Sequence, residues 1–261
     1  MESILLPSKI QFKKGANSNE SVLELEPCHQ GYGITIGNAL RRVLLSSLPG
    51  AAITSVKFDG LTHEFSAVPN VAEDALQVIL NLKQVRIRSF SDEPVKLTLR
   101  VSGEKEVTAG DFEKNSQVEI VNPDQKIATT TDSKAEFKME VMVEKGRGYL
   151  VTEDRDKSNL ETGMIAVDAI FTPVRNVSIK VDNVRVGQIT NYDKLTMVIE
   201  TDGTISPESA VSDASQILIN HFQLLAGAVE EPKEEKNAKK AKKAKAEKEE
   251  GAAEEAAPEQ E

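Results

Sequence analysis

The sequence predicts an α+β fold, and three observations carry that prediction. Apolar and polar residues alternate with a period of two in several separate stretches, the mark of half-buried strands. Three other stretches follow the helical period instead, and they stand far apart in the chain. Strands and helices do not alternate one for one, so a parallel βαβ sheet is not indicated.

The elements follow in chain order. Val22–Glu26 alternates as a strand. Ile36–Ser47 then reads as a helix at about 100° per residue, with Ile36, Leu40, Val43, Leu44 and Ser47 on one apolar stripe. Asn38, Arg41, Arg42 and Leu45 gather on the opposite side, and Pro49-Gly50 stops the helix. Two adjacent arginines beside a leucine, on a face the core does not need, fit a protein partner. Arginine's planar five-donor fork is common at interface anchors. The competing reading is a solvated helix face.

Ile53–Phe58 is the next strand. A second helix is expected over Val71–Lys83, with Asn70 and Glu73 as its capping pair. Val71, Ala75, Val78, Ile79 and Leu82 make its core stripe, and Leu76, Leu80 and Lys83 lie on an adjoining flank. Val95–Val101, Phe137–Val143, Ile165–Phe171, Val177–Val181 and Leu195–Ile199 complete the strands. Ser206-Pro207-Glu208 opens a third helix, a cap followed by proline at the first helical position. Val211, Ala214, Leu218, Phe222, Leu225 and Val229 form one stripe on it, with Ile217, His221, Leu224 and Ala228 beside them. About 22 residues span roughly 33 Å. So wide an apolar surface calls for two neighbours, either the domain's own sheet plus a second copy of the chain or the interior of one large domain.

Composition narrows the function. The 261 residues suffice for one large domain or two modest ones. Aromatics are 4% and Trp is absent, so the core must be aliphatic. A single Cys excludes a disulfide framework and fits a reducing cytosol. The start at Met1-Glu2-Ser3-Ile4 has no signal-sequence pattern, and no apolar run approaches the roughly 18 residues of a membrane span. A soluble cytoplasmic protein, with no membrane association, is expected. The net charge is −10; the tail 230–261, with 8 Lys against 11 Glu, accounts for −3 of it and leaves −7 on residues 1–229. That body is unsuited to neutralising DNA phosphates, so DNA contact should be weak or absent. The tail lacks aromatic and branched aliphatic residues and reads as disordered.

Candidate chemistry is sparse. Cys28 and His29 are sequence neighbours, and His63 and His221 have no ligand-spaced companions, so no metal is expected. Glu153-Asp154-Arg155-Asp156 carries its own arginine and reads as a polar loop, not a magnesium site. Gly146-Arg147-Gly148-Tyr149 lacks the context of a phosphate cradle; its glycines suit a turn that aims Arg147 and Tyr149. No catalytic residue, cofactor or small-molecule substrate is indicated.

The string Gly37–Gly50 (GNALRRVLLSSLPG) is followed by FDGLTHEFS, EDALQVILNLK, GRGY, VDAIFTPVRN and DKLTMVIETDGTISPE. In that order they resemble the alpha subunit of bacterial-type DNA-dependent RNA polymerase, from about Leu5 to about Val229. The resemblance implies a dimerisation domain built from both chain ends, residues 1–49 and 174–229, with an inserted β-rich domain at 50–173. Pro49-Gly50 and Thr172-Pro173 would be the crossing points. It also implies a non-catalytic scaffold that homodimerises and collects the beta and beta-prime subunits, with omega and sigma in the holoenzyme, at the nucleoid.

Carried over by position, Asn38, Arg41, Arg42 and Leu45 would meet beta, and Leu80, Lys83 and Val167 would meet beta-prime. Arg185 aligns with an assembly-sensitive position. Leu40, Val43, Leu44, Val211, Ala214, Leu218, Phe222 and Leu225 would serve dimerisation. Many alpha subunits continue into a helical domain that binds upstream DNA, and the charged tail does not match it. The rival readings are a stand-alone homodimeric regulator on the same scaffold and an enzyme of small metabolites.

Overall fold

The structure, a computed structural model, describes residues 4–61, 63–155, 161 and 163–227. The described residues divide into two compact units between Ala214 and Ser215. The first unit is α+β, with antiparallel sheets and two complete helices. Its first elements are strands β1 (Lys9–Lys14) and β2 (Glu20–Cys28), helix α1 (Tyr32–Ser46) and strand β3 (Pro49–Phe58). Helix α2 (Ala75–Leu82) leads into β4 (Ile87–Ser89), β5 (Val95–Ser102), β6 (Lys105–Thr108), β7 (Val118–Ile120) and β8 (Lys126–Thr130). Next come β9 (Glu136–Arg147), β10 (Tyr149–Leu150), β11 (Ile165–Ala166) and β12 (Ala169–Ile170). The long hairpin β13 (Val174–Val186) and β14 (Ile189–Thr201) follows, and residues 207–227 are helical.

One four-stranded sheet has the order β1-β2-β14-β13, uniting strands from opposite ends of the chain. Leu25 pairs with Leu195, Leu23 with Met197 and Ser21 with Ile199, so one face carries a continuous buried row. Helix α1 lies on this face. Its buried stripe is Gly33, Gly37, Leu40 and Leu44. A Cβ on Gly37 would stand 3.0 Å from Leu195 Cδ1 and 3.2 Å from Ile179 Cγ2, so the missing side chain lets the helix approach closely.

The second, larger sheet has the order β5-β9-β3-β4-β7, with β11 added to β3. Val95, Leu97, Leu99 and Val101 pair with Val143, Val141, Met139 and Phe137, all buried. With Val78, Ile79 and Leu82 of α2 they form the aliphatic core that the scarcity of aromatics requires. Two ribbons, β6-β8 and β10-β12, complete the unit.

Several boundaries differ from the sequence reading. Helix α1 begins at Tyr32, four residues before Ile36, because its first turns bury glycines that leave no apolar signal. Helix α2 begins at Ala75, four residues after Val71: Asp74 is the N-cap, its Oδ1 accepting from Gln77 N–H at 2.7 Å. Asn70 instead adopts φ 58°. The Glu73 carboxylate accepts from Thr129 N–H at 2.7 Å, and so is not free to complete a capping box. The expected strand Ile165–Phe171 is two short strands, interrupted at Val167-Asp168.

The two chain crossings lie side by side. A Cβ on Gly50 would sit 1.8 Å from the Phe171 carbonyl oxygen, and Thr172 Oγ1 donates to the Leu45 carbonyl at 3.3 Å. Only glycine fits that approach.

Candidate functional site

The candidate site begins with what fixes α1. Its N-cap, Gly31, has φ 84° and no capping side chain of its own. The cap comes from β14. Asp193, 6% exposed, accepts from Gly31 N–H at 2.9 Å and Gly33 N–H at 3.1 Å through Oδ2. A carboxylate there satisfies two orphan donors and complements the positive helix end.

With Leu40 and Leu44 turned onto the sheet, the far side of α1 is left to solvent. Asn38, Arg41 and Arg42 are exposed, Leu45 is half-buried, and neither guanidinium has a hydrogen bond or ion pair among the described residues. Helical spacing thus brings these residues together on one outward face. Leu40 and Leu44, at 8% and 0% exposure, are covered by their own chain, while Val43 is half-buried.

The second group gathers around an ion pair. Lys83, the C-cap of α2, donates through Nζ to Asp168 Oδ2 at 2.8 Å, and Thr152 N–H donates to Asp168 Oδ1 at 3.0 Å. The Lys83 ammonium, then the Thr152 N–H, hold the Asp168 carboxyl below its ordinary range, and the Tyr149 hydroxyl adds to this. Val167, beside Asp168 in sequence, is 3% exposed, while Leu80 and Leu76 on α2 are 50% and 42% exposed. Lys83 and Val167 are therefore brought close through Asp168. Lys83 is not a free cation, and Val167 faces the core.

On the third helix, Ala214 is buried and Val211 half-buried in the first unit. In the second unit, Leu218 is half-buried, and Phe222 and Leu225 are 60% and 64% exposed. Ala228, Val229 and the tail 230–261 lie outside the described residues.

Among the described residues no group of three or more His, Cys, Asp or Glu could hold a metal ion. Cys28 is buried, and burial followed by the Asp193 charge pushes its thiol up. His63 lies against Ser66 at 3.0 Å, and His221 Nδ1 against the Ile217 carbonyl at 2.8 Å. Arg155 donates to the Thr54 carbonyl at 2.7 Å and pairs with Glu144, so this part of the acidic loop is tied to β3 and β9. Asp156 lies outside the described residues. Gly148, at φ 67°, makes the turn between β9 and β10 and leaves Arg147 and Tyr149 exposed. Among the described residues Arg185 bonds locally, donating to the Gly187 carbonyl at 2.8 Å.

Three residues that position these faces escaped sequence reasoning. Asp193 and Asp168 meet partners 162 and 85 residues away. Arg88 reaches the Thr204 carbonyl at 2.6 Å, 116 residues on. No local spacing encodes such pairings.

The RNA polymerase Rpb3/RpoA insert domain profile matches residues 56–172. The chain is similar to DNA-directed RNA polymerase subunit alpha of Moorella thermoacetica, 49% identical over 211 residues, covering 81% of this chain and 67% of that one. It is 50% identical over 210 residues to the same subunit of Symbiobacterium thermophilum, covering 80% and 66%. The Chloroherpeton thalassium subunit is 44% identical over 240 residues, covering 90% and 73%. The alignments thus span about two thirds to three quarters of these relatives.

Proposed function

This chain belongs to the family of the alpha subunit of DNA-directed RNA polymerase, and we propose that it is the assembly scaffold of that enzyme. Two copies associate through the third helix and then recruit the beta and beta-prime subunits, with omega and sigma joining in the holoenzyme. The chain supplies no catalytic group, and its place of work is the cytoplasm, at the nucleoid.

The observation that carries this reading is the outward arginine face. Arg41 and Arg42 are exposed and unpaired among the described residues, on a helix whose other face is fixed by Gly37, Leu40, Leu44 and the Asp193 cap. The backbone of a packed, capped helix loses little order on binding, and the planar fork of donors suits carboxylates on a partner. The ion pair of Lys83 with Asp168 forms the second face, with exposed Leu80 alongside for beta-prime. A stable contact of either kind buries at least about 1,000 Å². Residues 1–49 and 174–229 act as the dimerisation domain, and 50–173 as the inserted domain, supported by the four-stranded sheet of terminal strands and by the insert-domain match.

Replacing Arg42 with alanine tests the assignment. The homodimer should persist in size-exclusion chromatography while co-purification with beta falls. Loss of the dimer, or retention of beta at wild-type level, would overturn it.

A further inference from the structure

The β10-β12 ribbon stands between the two faces. Tyr149 pairs directly with Ile170, so both side chains project from the same side of the ribbon. They are 59% and 42% exposed, while Ala169 and Phe171 on the other side are 1% and 5% exposed. The ribbon is anchored at both flanks. A Cβ on Gly148 would lie 3.7 Å from the Ser46 carbonyl at the end of α1, and Phe171 N–H donates to the Gly148 carbonyl at 2.9 Å. Arg147 pairs in register with Pro49, two residues beyond the α1 C-cap. Its side chain is exposed and has no partner among the described residues. On the other flank, the Lys83–Asp168 pair begins where β12 begins.

We infer that Arg147, Tyr149 and Ile170 form a third contact surface, continuous with the Arg41/Arg42 face, that receives the same large polymerase subunit through a carboxylate-bearing surface with an apolar recess. This inference rests on the scaffold reading. Arg41, Arg42 and Arg147 have no partner among the described residues, and the strand end that carries Arg147 adjoins the C-terminus of α1, so the three guanidiniums favour an acidic partner surface. The tyrosine supplies the rest. Its ring brings large apolar area at a cost of only two rotatable bonds, and such aromatics concentrate binding energy. The ribbon backbone is short and tied at both ends, so the pair is preorganised.

The test is binding of the full-chain homodimer to purified beta subunit, with Arg42→Ala as reference. Tyr149→Ala and Ile170→Asp should each weaken binding by about fivefold or more, as expected of anchors. Arg147→Glu should weaken it and flatten its salt dependence. Tyr149→Phe should keep most of the affinity, and a wild-type melting temperature for Tyr149→Ala separates lost binding from misfolding. Wild-type affinity in all ribbon variants, with Arg42→Ala impaired, would overturn the ribbon while leaving the scaffold reading intact. Wild-type affinity in every variant, Arg42→Ala included, would overturn both.

Discussion

Replacing Asp193 with alanine removes a carboxylate that holds the start of α1 from a strand more than 160 residues away. Two backbone N–H groups lose their acceptor, at 2.9 and 3.1 Å. Hydrogen bonds to a charged group contribute about 1.5–3 kcal/mol each, and a lost cap alone costs about 1 kcal/mol. Gly31 is exposed and regains water, whereas Gly33 is buried and does not. One bond at full weight and one at partial weight give about 3 kcal/mol. For a unit of residues 1–214, a kilocalorie moves the melting temperature by about 2–4 °C, so Asp193→Ala should melt about 6–12 °C lower.

Asp193→Asn keeps one neutral acceptor and should recover about half of that loss. Gly33→Ala should reproduce the defect from the helix side, since its Cβ would stand 2.9 Å from Asp193 Cβ. Differential scanning calorimetry measures all three. A shift below about 2 °C for Asp193→Ala would refute the reasoning and mean that water caps the helix equally well.

Other perturbations have equally definite outcomes. Gly50→Ala forces a Cβ to 1.8 Å from a backbone oxygen and should lower stability by about 3 kcal/mol or more, read as a lower urea midpoint; an unchanged midpoint would exclude the close crossing. The folded-state pKa of Asp168 lies below its ordinary value, so its contribution is full above about pH 4 and is lost as pH falls through the depressed value. The stability gap between wild type and Asp168→Asn should therefore be widest near neutral pH and close under acid, and a constant gap from pH 7 to pH 3 would contradict this. Phe222→Asp, at a 60% exposed position, should leave the melting of the first unit unchanged yet shift size-exclusion elution to monomer mass. Elution as a wild-type dimer would remove the third helix from the dimer contact.

Legibility followed the range of the interactions. The paired strands β5 and β9 were legible because each alternates apolar residues toward the core. The flank of Arg41 and Arg42 was legible because 3.6-residue periodicity separates it from Leu40 and Leu44 whatever else the chain does. The first turns of α1 were not, since Gly33 and Gly37 mark their buried face by the absence of a side chain. The start of α2 was misplaced because Asn70 and Glu73 imitate a capping pair, while the Glu73 carboxylate goes to Thr129.

The sequence by itself determined the α+β class, the aliphatic core, the outward side of α1 and the family, since all of these rest on residue type and local period. Tertiary structure alone decided that Asp193 caps α1, that Lys83 is neutralised by Asp168, and that Gly50 touches Phe171. It also placed Tyr149 and Ile170 side by side between the two faces. The reason is physical: hydrophobic patterning acts through neighbours a few residues apart, whereas a hydrogen bond or close backbone approach between distant segments exists only once the chain has closed the loop between them.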